Sequence, residues 1–153
     1  MGAAALHALG RGDEIGRRFA TLPGASVVAE MLARGVNCPP TSSCGRLFDA
    51  ACGLLGIKPI AAFEGEAPMA LECLVQRPRV EPAGFRLEAG VLDFTPLLAR
   101  LIDLAPAIGA DLFHGTLIAG MADWVAEAAG TTGIRRVVLS GGFGQLIVTW
   151  LID

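Results

Sequence analysis

Residues 41–49 place three hydroxyl groups, a glycine, an arginine and a carboxylate at the start of a predicted apolar helix. Two prolines just before them cannot continue a helix, so the chain approaches in an extended form. The hydroxyls of Thr41, Ser42 and Ser43 are typical of a helix start, where side-chain oxygens accept from free N–H groups. Such N–H groups carry partial positive charge, which favours an anion or a ribose phosphate. An ordinary capped core helix has the same local pattern, and both interpretations stay open.

A second place for binding chemistry follows a predicted buried strand at residues 135–140, after which Gly141 and Gly142 come at once. Glycine lacks a Cβ, so backbone at this point can lie against a flat or charged ligand. A helix predicted at residues 145–153 would present its first N–H groups to the same ligand. A tight turn needs the same pair of glycines and is the alternative.

Histidine and carboxylate side chains offer little further chemistry. His114 lies in an apolar helical pattern with no second histidine within a turn, so we predict a satisfied core residue and no metal site. Glu64 and Glu72 are predicted to lie on one side of a helix as structural groups. Arg46 has Glu64, Glu72 or a ligand phosphate as candidate partners, and the sequence does not choose among them. No catalytic residue is assigned.

The elements that must position these groups follow from helical spacing and chain breakers. Helices are predicted at residues 3–9, 13–22, 26–32, 44–55, 64–75, 95–102 and 108–129. Asp13, Ser26 and Thr95 are predicted to begin three of them, and Gly130 to end the longest. Residues 85–94 are predicted to form a hairpin around the pair Ala89 and Gly90. The sequence therefore favours a mostly helical α/β fold.

Composition excludes several classes of protein. The 153 residues carry a net charge of −3, which gives no basic field for nucleic acid. Hydrophobic residues make up 53% of the chain, but glycine, proline or charge interrupts every apolar run before a membrane-spanning length. No secretory leader is recognised, so we expect a cytoplasmic protein. The four cysteines form no Cys-x-x-Cys pair and are predicted to be buried reduced thiols, with a structural zinc site as the weaker alternative; they are Cys38, Cys44, Cys52 and Cys73.

Two runs carry a resemblance to a known family: TSSCGRLFDA at residues 41–50 and FEGEAPMALE at residues 63–72. Together they resemble the hydrogenase maturation carbamoyltransferase (HypF) family, in the carboxy-terminal part of its carbamoyl-transferring domain. The likeness covers residues 3–150. It implies part of an actin- and sugar-kinase-like (ASKHA) nucleotide-binding domain, a single domain over residues 1–153 that is incomplete at both ends.

The resemblance also implies site residues and a ligand. Gly45 and Asp49 fall where the family approaches the nucleotide ribose, and a carboxylate can accept from both ribose hydroxyls. Gly141 and Gly142 match the glycine pair that holds the adenosine part. The family usually continues with Val-Phe-Gln-Asn, whereas Leu146 stands here in place of the final amide, which removes one polar contact. The implied ligand is ATP or carbamoyl-adenylate.

The implied reaction moves a carbamoyl group from carbamoyl-adenylate to the C-terminal cysteine of a hydrogenase maturation partner, toward the cyanide ligands of the nickel–iron centre. The family uses a metal held by a His-x-x-x-His motif and a later aspartate, and neither has a counterpart in this sequence. We therefore expect the isolated chain to be inactive and to need the family's N-terminal domains. The alternative is a non-catalytic remnant that binds nucleotide or another protein.

Overall fold

Seven α-helices and one β-hairpin form the part of the chain that the structure, a computed structural model, describes: residues 1–138. The helices are α1 (Gly2–Ala8), α2 (Ile15–Arg18), α3 (Ala25–Ala33), α4 (Cys44–Leu54), α5 (Glu66–Glu72), α6 (Thr95–Leu101) and α7 (Pro106–Thr132), with a 3-10 turn at Gly12–Glu14 before α2. Strands β1 (Arg86–Glu88) and β2 (Val91–Asp93) lie between α5 and α6. The predicted mixture of helices and strands, mostly helical, is confirmed over these residues.

Helix α4 lies between two hydrophobic clusters, which explains why the sequence is organised around it. One face places Phe48 and Cys52, with Leu55 directly after the helix, against α5, α6 and α7. The other places Ala50 and Leu54 against α1 and the α2 region. Both sets recur three or four residues apart, so each forms a stripe along the helix. Burial on two sides fixes the orientation of α4, and with it the direction in which the remaining face of the helix points.

The contact between α1 and α4 depends on two glycines. A Cβ built on Gly2 would lie 3.0 Å from the backbone of Gly53, and one built on Gly53 would lie 3.0 Å from the Cα of Gly2. Without side chains at these positions the two helices approach at backbone distance. Residues beyond Gly53 then turn back along α4 toward Lys58.

Residues 76–81 form a loop between α5 and the hairpin, and this loop is tied across α7. Oδ1 of the buried Asp111 accepts from the backbone N–H of Gln76 at 2.7 Å and of Arg77 at 2.9 Å. Thr116 Oγ1 accepts from the N–H of Glu81 at 2.9 Å. Between these anchors the backbone runs directly over Gly115, where any Cβ would overlap the loop. Hydrogen bonds that the loop donates to α7 therefore replace the secondary structure that the loop lacks.

The predicted hairpin is confirmed. Leu87 pairs with Leu92 across the antiparallel strands, and Ala89 and Gly90 form the turn with φ of 50° and 75°. Two consecutive positive φ values match the twist of the strands they join.

A network of charges joins the first helices to the connection between α6 and α7. Glu14 accepts from Arg11, from Arg17 at 3.1 Å and from Arg18 at 2.7 Å. Arg11 and Arg18 also reach Asp103, which has a φ of 72°. The arginines lower the pKa of Glu14 to about 2, with Arg11 the largest contributor and Arg18 next.

The capping side chains predicted at the starts of three helices are wrong, although α6 does begin at Thr95 as predicted. No side-chain cap is formed at α2, α3 or α6. Asp13 lies inside the 3-10 turn, and α3 starts after Gly24 rather than at Ser26. Oδ1 of Asp93 accepts from the N–H of Thr95 at 2.8 Å, so Asp93 satisfies the first turn of α6. Burial of apolar residues, Ile15 in α2 and Leu97 and Leu101 in α6, stabilises two of these helices without a side-chain cap.

The end of the long helix also differs from prediction. Helix α7 passes through Gly130 to Thr132 and is followed by Gly133 with φ of 71°, the conformation typical of a helix terminus. No helix within residues 1–138 is both long and apolar enough to cross a membrane.

The strand predicted at residues 135–140 is wrong for its described part. Residues 135–138 have no strand assignment, and Val138 is 86% exposed. A buried strand needs a neighbour that completes its backbone hydrogen bonds, and the two-stranded sheet of the described residues contains only β1 and β2. Residues 139–140, Gly141, Gly142, Leu146 and the helix predicted at 145–153 lie outside the described residues.

Candidate functional site

The first turn of α4 is open to solvent and is not capped by the predicted hydroxyls. Ser43 precedes the helix with φ −68° and ψ 119°, and its side chain makes no capping hydrogen bond. Thr41 Oγ1 accepts instead from the N–H of Ser43 at 3.1 Å. At Gly45 a Cβ would meet only Ser43 Oγ, at 3.7 Å. The prediction of hydroxyl caps is therefore wrong, and Gly45 lies in a turn that a ligand can approach.

One turn further along, Asp49 lines a hollow of about 310 Å³. Its walls come from the start of α1, from the α2–α3 region, from α4 and from the segment after α4. Arg46, Asp49 and Lys58 are the charged side chains among its lining residues. The apolar part of the wall includes Ile15, Phe19, Leu22, Val28 and Pro59. A pocket with an apolar wall and a few charged groups is the usual form of a small-molecule site.

Asp49 is half-buried and paired with a residue of its own helix. Nη1 of Arg46 lies 2.9 Å from Oδ2 of Asp49, one helical turn away. Neither Glu64 nor Glu72 is the partner of Arg46, so that part of the prediction is wrong. Side chains three residues apart on a helix are neighbours. The formation of α4 therefore brings Asp49 next to Arg46 without any long-range contact. The pairing holds the Asp49 carboxylate in place at the wall of the hollow.

Lys58 is the functional candidate that sequence reasoning missed. Its Nζ lies 2.7 Å from Oε1 of Glu66, and Oε2 of Glu66 accepts from the N–H of Ala62. The lysine reaches the hollow because the chain turns at Gly56, with φ of 67°, and folds back along α4. Sequence spacing cannot predict such a return. The available signal was that Lys58 is the only lysine in the chain.

The other two acidic candidates do not join this site. Glu64 precedes α5, which begins at Glu66, so Glu64 and Glu72 do not lie on one face of a helix. Both are exposed. Of the four predicted nucleotide-binding residues, the structure places Asp49 in the hollow and Gly45 one turn before it, whereas Gly141 and Gly142 lie outside the described residues.

His114 is buried, as predicted, but only one of its two ring nitrogens makes a hydrogen bond among the described residues. Its Nδ1 lies 2.9 Å from the carbonyl oxygen of Ala110, and its ring meets Phe48 and Phe113 edge to face. Nε2 has no hydrogen-bond partner among the described residues. Burial lowers the pKa of His114, because the charged imidazolium loses its hydration. The ring is therefore held neutral inside the core.

The cysteines divide into two classes. Cys52 is buried and Cys44 partly buried, and burial raises the pKa of Cys44 to about 11. Cys38 and Cys73 are exposed, which corrects the prediction of four buried thiols. Within residues 1–138 no group of three or more His, Cys, Asp and Glu side chains is arranged to hold a metal ion.

Comparison with known proteins gives one consistent match. Residues 1–147 match the family described as carbamoyltransferase, Kae1-like domain, second subdomain. The chain is 43% identical over 145 residues to carbamoyltransferase HypF of Rhizobium leguminosarum bv. viciae, covering 93% of the chain and 19% of that protein. It is 41% identical over 173 residues to carbamoyltransferase HypF2 of Cupriavidus necator, covering 93% of the chain and 21% of that protein.

A solved structure shares the fold. The crystal structure of full-length HypF in its phosphate- and nucleotide-bound form superposes with a TM-score of 0.66 and 27% sequence identity. The match covers 81% of this chain and 21% of that one. The chain thus spans about a fifth of the length of these relatives.

Proposed function

Because the chain belongs to the carbamoyltransferase family, as the second subdomain of its Kae1-like domain, we propose that it supplies part of a nucleotide site for carbamoyl transfer. The reaction moves a carbamoyl group from carbamoyl-adenylate to the C-terminal cysteine of a hydrogenase maturation protein. Its product leads to the cyanide ligands of the nickel–iron centre. The protein acts in the cytoplasm.

The observation that carries this proposal is the position of Asp49 at the wall of a hollow. A carboxylate accepts hydrogen bonds only, and the two adjacent hydroxyls of a ribose are matched donors. Arg46 holds one oxygen of that carboxylate from the side. The related HypF structure is a nucleotide-bound form, which supports a nucleotide as the ligand of this hollow.

Three glycines complete the proposed nucleotide-binding site. Gly45 lets the ligand approach the open first turn of α4, where a Cβ would meet little else. Gly141 and Gly142 are proposed to hold the adenosine part through their backbone. Fixing the adenylate in this way positions the carbamoyl carbonyl for attack by the thiolate of the acceptor cysteine. The new C–S bond forms as the bond from the carbamoyl carbon to the phosphate oxygen breaks, and AMP leaves.

The metal of the family reaction does not fit the described residues of this chain. His114, with Nδ1 on the Ala110 carbonyl and its ring packed on Phe48 and Phe113, is enclosed in the core. The described residues offer no donor set around it. We therefore assign this chain nucleotide binding, no catalytic residue and no step through a metal. Transfer requires the remaining domains of the enzyme.

Association with those domains is supported by an apolar surface at the end of α7. Val125, Ala128 and Ala129 line a mostly apolar hollow of about 250 Å³ together with Ile134 and Val137. Large exposed apolar patches mark interaction sites. Since the relatives are about five times longer than the match, the proposed occupant is another part of a carbamoyltransferase polypeptide.

Calorimetric titration of the 153-residue chain with ATP, and with a stable carbamoyl-adenylate analogue, tests the proposal. We expect binding that Asp49→Asn weakens about tenfold or more, because a charged acceptor of two hydrogen bonds is lost. Asp123→Asn is the matched control, since Asp123 is an exposed aspartate on α7. No binding by a folded sample, or equal affinity of the wild type and Asp49→Asn, would overturn the proposal.

A further inference from the structure

Lys58 differs from every other basic side chain in the sequence. The chain has 12 lysines and arginines, of which Lys58 is the one lysine and the other 11 are arginines. This single lysine lines the same hollow as Asp49 and Arg46. An ammonium group is a compact charge with three donors and is a common phosphate ligand in proteins. The position of this lysine makes it a candidate for contact with a phosphate group.

The ammonium group has donors to spare. The ion pair with Oε1 of Glu66, at 2.7 Å, uses one of the three N–H donors of Nζ, and the Lys58 side chain is 36% exposed. Glu66 is held on its other oxygen by the N–H of Ala62. The Glu66 carboxylate therefore fixes the orientation of the Lys58 ammonium group. The remaining N–H groups of Lys58 are available to a ligand in the hollow.

The charges in the hollow distinguish two ends of a nucleotide. Asp49 attracts hydroxyl donors and repels phosphate, and Arg46 already donates to Asp49 through Nη1. Apart from Arg46, Lys58 is the cationic side chain of the lining, and it belongs to the segment after α4, not to α4 itself. The other positive group of the lining, the N-terminal ammonium of Met1, interacts with Asp49. A ribose at Asp49 and a phosphate at Lys58 satisfy both groups at once.

We infer that Lys58 is the phosphate-contacting residue of the hollow and sets its preference for a phosphorylated nucleotide over the free nucleoside. This inference rests on the proposed nucleotide site. Glu66 acts as a positioning residue, because it orients the ammonium group without meeting the ligand. The ligand class is an adenosine phosphate with its anionic group toward the segment after α4.

The test compares the affinities of the full chain for ATP and for adenosine. The wild type is expected to bind ATP more tightly. Lys58→Met should reduce the ATP-to-adenosine affinity ratio about tenfold, since one charged hydrogen-bonding contact is lost, while adenosine affinity stays unchanged. Lys58→Arg should restore part of the ratio because it keeps the charge. Glu66→Gln leaves Lys58 cationic but weakens the contact that orients it, so it should lower the ratio by less than Lys58→Met does.

These variants separate a ligand contact from a structural ion pair. If the pair only stabilised the fold, Lys58→Met and Glu66→Gln would have equal effects on melting and neither would change the ratio, which overturns the inference. Wild-type protein that binds neither ligand contradicts the proposed nucleotide site itself. Binding of both ligands with a ratio insensitive to Lys58→Met contradicts the inference alone.

A labelling experiment on the unmodified chain avoids any question of folding. Amine acetylation followed by peptide mapping reads Lys58 separately from the α-amino group. ATP should slow acetylation of Lys58 at least fivefold, and adenosine should not. Protection by inorganic phosphate equal to that by ATP would show a free-anion site and overturn the assignment to a nucleotide phosphate, as would the absence of protection at saturating ATP.

Discussion

Arg46 and Asp49 form an ion pair one turn apart on α4, with Nη1 of Arg46 2.9 Å from Oδ2 of Asp49 at the wall of the hollow. In the proposed nucleotide site, this pair also orients the Asp49 carboxylate toward the ribose. The Arg46 side chain is 55% exposed, so the pair adds little to folding. The effect of the ion pair is to orient the Asp49 carboxylate.

Asp49→Asn should therefore leave the fold intact. We expect the free energy of unfolding to change by at most about 0.5 kcal/mol, the usual value of an exposed pair on one helix. Urea denaturation followed by circular dichroism measures this, with Arg46→Gln as the companion variant. A loss of several kcal/mol would mean that Asp49 supports the core and that its effect on binding is indirect.

Gly115→Ala should be severely destabilising. A Cβ at Gly115 would overlap the backbone of Arg79, which crosses α7 at this point and cannot move as a side-chain tip can. We expect a loss of about 3 kcal/mol, the upper range for overpacking. Gly130→Ala is the matched control, since among the described residues a Cβ at Gly130 would meet no atom within 4 Å beyond the backbone of its own helix, and it should gain about 1 kcal/mol from helix propensity. Similar melting of the two variants would contradict the close crossing of loop and helix.

Asp111→Ala should loosen the loop that α7 holds. The change leaves the N–H groups of Gln76 and Arg77 without their acceptor, at a cost of about 2 kcal/mol. Asp111→Asn keeps Oδ1 as an acceptor and should lose less. Amide hydrogen exchange at Gln76 and Arg77 is the specific readout, and unchanged protection in Asp111→Ala would disprove the tether.

Acid should remove the contribution of Glu14 to stability. Its pKa is lowered from 4.5 to about 2 by the arginines around it, Arg11 first. A lowered carboxyl pKa stabilises the folded state fully above pH 4.5, and this contribution disappears as pH falls through about 2. The stability difference between the wild type and Glu14→Gln should be constant from pH 7 to 5 and shrink toward pH 2. Urea midpoints across this range measure it, and a difference that grew on acidification would have the wrong sign.

Local pattern predicted the helices and the hairpin well where burial and spacing agree. The apolar stripe of α4 rests on helical periodicity, and the Ala89–Gly90 turn rests on two consecutive positive φ values of which the second falls on a glycine. Caps failed because the helices are fixed by packing, and Gly130 failed as a stop because a glycine inside a helix costs only about 1 kcal/mol. The strand prediction failed at Val137 and Val138 because strand pairing is not a local property.

The sequence predicted only the part of the site that depends on local neighbours. Asp49 was identified through the family motif, and its partner Arg46 lay three residues away. Lys58 was missed because it joins the hollow through a chain reversal at Gly56, which residue spacing does not encode. Gly141 and Gly142 stay predictions.

The central claim is that a nucleotide ribose binds at Asp49, and a crystal structure of the chain with ATP measures it directly. We predict both ribose hydroxyls within about 3.2 Å of the Asp49 carboxylate, with the ligand in the hollow between α1, α4 and Lys58. An ATP molecule bound elsewhere on the chain, with Asp49 still paired only to Arg46, would contradict the account.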